Sequence, residues 1–257
     1  MVLSWINYLC LVVGAASFIM LVIITAIVLK RCPTEKINWL FASSFFFLAV
    51  GYVVLPLGAF VYVQSEPTAM LVLTKIYALS LVIGLTLLML SSIAFNFGTH
   101  FAFRWEILIP SIIAVLTIGG LLFGLTNTES NLWYSMKSGG GESADTQTSY
   151  FFMGIFYPIC IAMIIVIFNY FSRALKQTQD ENIKLSLKYF LTGFSLSISS
   201  LIPNILSNAL AGLLGENAQL FNSIEFILIG IGMFFMLLGF FVKSKRVDEN
   251  LANCAPS

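Results

Sequence analysis

The sequence predicts an all-α, polytopic integral membrane protein: a bundle of seven transmembrane helices with the N-terminus outside and the C-terminus cytoplasmic. Three observations predict it. Seven apolar runs of roughly 20 to 27 residues follow one another, each long enough to cross a hydrocarbon core of about 30 Å at 1.5 Å per residue. Of the 257 residues, 59% are hydrophobic and only 10% are charged, with a mean hydropathy of +0.94; soluble domains carry about 25% charged residues. Lastly, the basic residues fall on every second loop.

The spans are read as Trp5–Leu29, Asn38–Val63, Met70–Phe95, Ile107–Leu125, Phe151–Phe171, Leu185–Leu213 and Leu220–Val242. They must be helices, because lipid offers the backbone no hydrogen-bond partners and the runs are too long for barrel strands. The first span reads as an anchor rather than a cleaved signal: it has no basic leader, and Lys30 and Arg31 follow it. Lys30, Arg31, Lys36, Arg104, Arg173, Lys176, Lys184, Lys188, Lys243, Lys245 and Arg246 all fall on one side. These are eleven of the 13 basic residues. The positive-inside rule makes that side cytoplasmic. Trp5, Trp39, Trp105 and Trp133 lie at or near span ends, as an aromatic belt requires. The outer loop Thr126–Ser149 is long, and Gly139-Gly140-Gly141 makes its centre flexible. Residues 1–243 are thus a seven-transmembrane domain and 244–257 a short cytoplasmic tail, in what is expected to be the plasma membrane. No Asn-x-Ser/Thr sequon calls for glycosylation.

Composition excludes several classes. A net charge of +1 argues for no nucleic-acid partner. One histidine, His100, excludes a multi-histidine metal site. Cys10, Cys32, Cys160 and Cys254 match no zinc or redox spacing. Cys32 suits palmitoylation in a eukaryotic host, and Cys254-Ala255-Pro256-Ser257 is a poor prenylation box because of its proline. The spans hold no lysine midway along the seventh, no paired carboxylates and no phosphate loop. A retinal Schiff base, a hydrolase or a proton pump therefore has little support. No catalytic residue, metal or cofactor is expected.

Lys75 and Glu225 are the acid and base well inside the spans. Each lies five residues from an outer span end, roughly 7.5 Å deep. Equal depth allows them to meet: they are an outer-leaflet ion pair, two separate interfacial charges, or a ligand contact or switch pair at the bundle mouth, since intramembrane charges usually face the interior. Span six carries a polar stripe of Gly193, Ser197, Ser200, Asn204 and Ser207 or Asn208 at helical spacing. Pro203 frees a carbonyl one turn earlier and kinks the helix. Such a face is either a cavity wall or a helix-packing surface. Asn222 joins the candidate ligand set from span seven. Arg173, Lys176, Lys184 and Lys188 surround Asp180-Glu181 and suit lipid contact or the docking of a cytoplasmic partner.

An internal repeat is also legible. Glu35-Lys36-Ile37-Asn38 before span two matches Glu181-Asn182-Ile183-Lys184 before span six, and Pro56 matches Pro203. Thr74-Lys75-Ile76-Tyr77 lines up with Asn222-Ser223-Ile224-Glu225, and Ile83-Gly84 with Ile231-Gly232. Spans one to three would then duplicate spans five to seven, with span four as linker.

From Lys36 to about Tyr134 the order of features resembles the seven-helix N-terminal sensor region of prokaryotic membrane histidine kinases. A basic loop leads into Asn38-Trp39-Leu40-Phe41. Span three starts at Leu73-Thr74-Lys75-Ile76-Tyr77, Pro110 opens span four, and Leu125-Thr126-Asn127 is followed by Trp133-Tyr134. The histidine that the family often has there is missing, and only 15 residues follow Val242. The resemblance therefore implies a free-standing sensor without a kinase. The layout is also that of G-protein-coupled receptors, but Asn96-Phe97-Gly98 stands where their Asp/Glu-Arg-Tyr motif would be.

The expected function is a non-enzymatic, receptor-like sensor. It would sit in the lipid bilayer, bind a small or lipid-like ligand in an outer cavity lined by spans three, six and seven, and signal to a separate cytoplasmic protein through a hinge at Pro203. Lys75, Glu225, Ser197, Ser200, Asn204, Asn208 and Asn222 are the candidate contacts. A 3+1+3 transporter for a small solute and a structural subunit of a membrane complex are the alternatives. Oligomeric state is left open.

Overall fold

The computed structural model describes residues 5–31, 35–63, 67–123, 134–138, 144–148, 150–209 and 218–242. Helices α1 (Trp5–Arg31), α2 (Lys36–Val63) and α3 (Pro67–Phe97) carry the first three spans. After α3, Gly98 takes a φ of +86°, which a residue without Cβ adopts freely. The chain turns there into the one-turn helix α4 (Thr99–Ala102) and then α5 (Trp105–Phe123). Helices α6 (Tyr150–Gln177), α7 (Glu181–Ser199), α8 (Leu201–Ala209) and α9 (Ala218–Phe241) complete the bundle. Among the described residues seven helices are long and apolar enough to cross a membrane, as a helical membrane bundle requires.

Two details refine the sequence reading. In the loop between α5 and α6, strands β1 (Tyr134–Ser138) and β2 (Ala144–Thr148) pair antiparallel, from Tyr134 opposite Thr148 to Ser138 opposite Ala144. The expected flexible centre, Gly139-Gly140-Gly141, lies outside the described residues. Span six is not one helix. A turn at Ser200 separates α7 from α8, three residues before Pro203. Proline has no N–H to give the Ser199 carbonyl one turn back, so the ladder lapses there. At the other end of α7, the Asp180 carboxylate caps the helix, accepting from the N–H groups of Asn182 (2.9 Å) and Ile183 (3.2 Å).

The helices form a closed ring in the order α1, α2, α3, α6, α7, α9 and back to α1, with α5 packed outside against α3. Helix α3 is the most enclosed span and α5 the least. In lipid, whose tails are as apolar as leucine, close packing rather than burial from water would drive these contacts. Phenylalanines supply much of it near one end. Phe171 and Phe190 stand 4.8 Å apart, Phe45 and Phe240 meet edge to face at 5.4 Å, and Phe41 lies 5.9 Å from Phe171. Such pairs contribute about 0.5–1.5 kcal/mol each beyond area.

Glycines set the closest crossings. A Cβ on Gly84 of α3 would fall 2.7 Å from Leu48 of α2. A Cβ on Gly232 of α9 would fall 2.6 Å from the Gly193 carbonyl of α7. The two glycines that the sequence repeat aligns therefore occupy matching crossings, α2 on α3 and α7 on α9. The likeness stops there: α1 packs extensively on α2, whereas α6 touches α7 only lightly.

Candidate functional site

The bundle has two distinct ends. Arg31, Lys36, Arg104, Arg173 and Lys184 gather at one, called here the basic end; the β-hairpin lies at the other and rests against α3.

Toward the hairpin end, polar groups from five helices lie within electrostatic range of Tyr77 or are Tyr77 itself. Tyr52 of α2 is buried, and its ring meets that of Tyr77 of α3 edge to face at 6.5 Å. Glu225 of α9 is within electrostatic range of Tyr52, Tyr77 and Cys10 of α1. Tyr157 of α6 is within the same range of Tyr77. Tyr77, Tyr157, Cys10 and Glu225 are half-buried rather than sealed. Gly51 of α2 faces Tyr77 and Ser80, which lets the α2 backbone come close to the tyrosine ring. Phenol O–H groups donate and an ionised carboxylate only accepts. The set is chemically self-complementary, and equally complementary to a guest that carries a hydrogen-bond donor. Apart from Glu225, it escaped the sequence reading. A signal was present: Tyr52 and Tyr157 lie inside their spans, away from the interfaces where aromatic belts form.

Lys75 does not join this cluster. It is 5% exposed, and its Nζ stands 5.7 Å from the ring centroid of Phe123 on α5. Tyr77, two residues further on, faces Tyr52. Two residues correspond to about 200° around a helix, so Lys75 and Tyr77 occupy opposite sides of α3. Among the described residues the ion pair within 4 Å joins Lys184 to Glu181, at 3.4 Å; Lys75 and Glu225 do not form one. Their surroundings differ: Lys75 lies by Phe123, whereas Glu225 lies within electrostatic range of Tyr77 and Tyr52.

The span-six stripe divides. Gly193 and Ser197 face α9, with Gly232 directly against them, so at these positions the stripe packs on a helix. The Ser197 hydroxyl is buried there with no hydrogen-bond partner. Ser200 is buried and donates to the Ser197 carbonyl at 2.6 Å. The side chains of Asn204, Asn208 and Asn222 lie outside the described residues. Pro203 is buried immediately after the break it causes.

At the basic end, Arg173, Lys176 and Lys188 are exposed, and Lys184 is half-buried in its ion pair. The Arg173 guanidinium lies 5.5 Å from the Phe97 ring. Asn96 donates to the carbonyls of Ser92 (2.9 Å) and Tyr170 (3.0 Å), tying α3 to α6. Arg31 donates to the Phe240 carbonyl at 2.6 Å, which ties α1 to the last turn of α9. Behind these residues a cavity of about 290 Å³ opens between α1, α2, α3, α6, α7 and α9. Among the described residues no three His, Cys, Asp or Glu side chains converge as metal ligands. The chain matches no known family model and no curated protein sequence.

Proposed function

We propose that this protein is a non-enzymatic, receptor-like sensor of the plasma membrane, with its N-terminus outside and its basic end in the cytoplasm. The single observation that supports this best is the convergence of Cys10, Tyr52, Tyr77, Tyr157 and Glu225 from five helices. Ionisable groups in a membrane bundle are expensive and tend to mark functional places. A small or lipid-like ligand with a donor group would bridge Glu225 on α9 to the phenols on α2, α3 and α6. A ligand shifts a conformational equilibrium only through differential affinity for its states. Bridging four helices supplies that difference, because the gaps between them change when the bundle rearranges. Helix α9 carries the change onward: from Glu225 to Phe240 it runs about 22 Å at 1.5 Å per residue, ending where Arg31 holds its last turn. Arg173, Lys176 and Lys188 would present the result to a cytoplasmic protein, in keeping with the resemblance to kinase sensor regions.

The test is a thermal-shift screen of the purified protein against small metabolites and lipids, with Glu225→Gln and Tyr77→Phe in parallel. A true ligand at 100 times its dissociation constant adds about 2.7 kcal/mol of apparent stability, and the gain disappears in both variants. A ligand that stabilises all three proteins equally sinks the assignment of this cluster.

The matching Gly84 and Gly232 crossings favour a second reading, a transporter with a repeat on either side of α5. Solute flux in proteoliposomes, abolished by Glu225→Gln, would establish it and remove the sensor.

A further inference from the structure

The cavity at the basic end lies far from the tyrosine cluster and has a different chemistry. Phenylalanines, among them Phe41, Phe171 and Phe190, line it together with aliphatic side chains and the polar residues Arg31, Asn38, Asn182 and Ser186. Glu35 is the acidic residue among those that line it. Arg31 is half-buried, and its charge is not neutralised by an ion pair among the described residues. Guanidinium has five N–H donors; one nitrogen is engaged by the Phe240 carbonyl, which also orients the group, and the Phe240 ring lies 6.0 Å away. A partly desolvated cation in an aromatic cavity, where it is the one basic residue among the described lining, is a standing demand for an anion.

The size of the cavity narrows the guest. A helix about 10 Å across with a 5.4 Å pitch fills roughly 400 Å³ per turn, so about 290 Å³ does not admit one turn of a partner helix. It equals the lower end of small-ligand pockets, about 300 Å³. The small volume, the largely apolar lining and the Arg31 cation together describe one molecule type.

We propose that the basic-end cavity binds a single-chain anionic amphiphile, its acidic head on Arg31 with Asn38 and Asn182, and its hydrocarbon tail among Phe41, Phe171 and Phe190. The site goes beyond the sensor reading and stands without it, since the amphiphile touches none of the tyrosine cluster. In a membrane, the head would lie at the interface and the tail would enter between the helices.

The experiment is native mass spectrometry of the full-length protein in detergent, titrated with oleate and with methyl oleate, its uncharged counterpart. The wild type is expected to hold one oleate, and methyl oleate at least tenfold more weakly. Arg31→Gln should abolish that preference, and Arg31→Lys should restore part of it. Ile183→Trp fills the cavity from its wall without touching Arg31, and should weaken both ligands at least tenfold while far-UV circular dichroism stays unchanged. If Arg31→Gln does not fold, Ile183→Trp and the acid-to-ester ratio decide alone. Equal affinity for acid and ester, or oleate binding that survives Ile183→Trp, overturns the proposal. A competition arm names the source: displacement of oleate by lysophosphatidylglycerol, which has one chain, makes a single-chain phospholipid the resident molecule, and failure to displace it makes the free acid the guest.

Discussion

At the residue scale, direction around a helix matters as much as depth. Lys75 and Glu225 lie equally far along their spans in the sequence, yet Lys75 faces Phe123 while Glu225 belongs with Tyr77 and Tyr52. The double mutant Lys75→Ala/Glu225→Ala should therefore be additive to within about 0.5 kcal/mol, whereas Tyr77→Phe/Glu225→Gln should show coupling of about 0.5–3 kcal/mol. Chemical or thermal unfolding in detergent measures both cycles; coupling between Lys75 and Glu225 above that limit would mean that the two side chains meet. The Gly193–Gly232 crossing gives a second residue-level test. A methyl group at Gly232 would lie 2.6 Å from the Gly193 carbonyl and 2.8 Å from the Ser197 nitrogen, so backbone must move. Gly232→Ala should cost about 1–3 kcal/mol by overpacking, visible as a lower melting temperature. Gly120 has nothing within 4 Å of its would-be Cβ, so Gly120→Ala should leave stability unchanged or slightly raised.

At the element scale, α7, α8 and α9 respond to single contacts. The Arg31 bond to the Phe240 carbonyl fastens the C-terminal turn of α9 to α1. A hydrogen bond to a charged group contributes about 1.5–3 kcal/mol, so Arg31→Gln should loosen that turn. Amide exchange in the last turn of α9 should accelerate while exchange around Ile229 stays slow; uniform exchange along the helix would contradict this clamp. The break at Ser200 follows from the missing N–H of Pro203. Pro203→Ala restores the donor and should join α7 to α8, which spin labels on either side would register as a longer, more sharply distributed distance. An unchanged distance would place the cause of the break in tertiary packing instead.

At the scale of the whole molecule, the ring of helices separates two chemistries: phenols and a carboxylate toward the hairpin end, cations and phenylalanines at the basic end. The orientation proposed for it has its own test. Neutralising Arg173, Lys176, Lys184 and Lys188 together should reduce the fraction of molecules whose C-terminus is cytoplasmic, as read by protease protection of a C-terminal tag. No change would show that the first helices alone control insertion.

Much of the architecture was legible because it is a one-dimensional property. Seven apolar runs, and the lipid's refusal of unpaired backbone groups, dictate seven helices. Proline chemistry pointed to the break in span six, but the helices that contain Pro56 and Pro158 run on unbroken, so a proline by itself does not decide. The pairing of basic loops to one end followed from counting passes of the chain. Partners around each helix were decided only by the tertiary structure. Azimuth is shared among neighbours that are distant in sequence, and an apolar span offers few residues to mark which side faces in. That is why the pairing of Lys75 with Glu225 stayed open, why Tyr52 and Tyr157 passed as ordinary span residues, and why the choice between cavity wall and packing surface for Ser197 waited on its contact with Gly232. The basic-end cavity is the clearest case. Its lining comes from six helices, and no stretch of the chain holds enough of that lining to reveal it; only closure of the ring sets Arg31 against the phenylalanines it shares that space with.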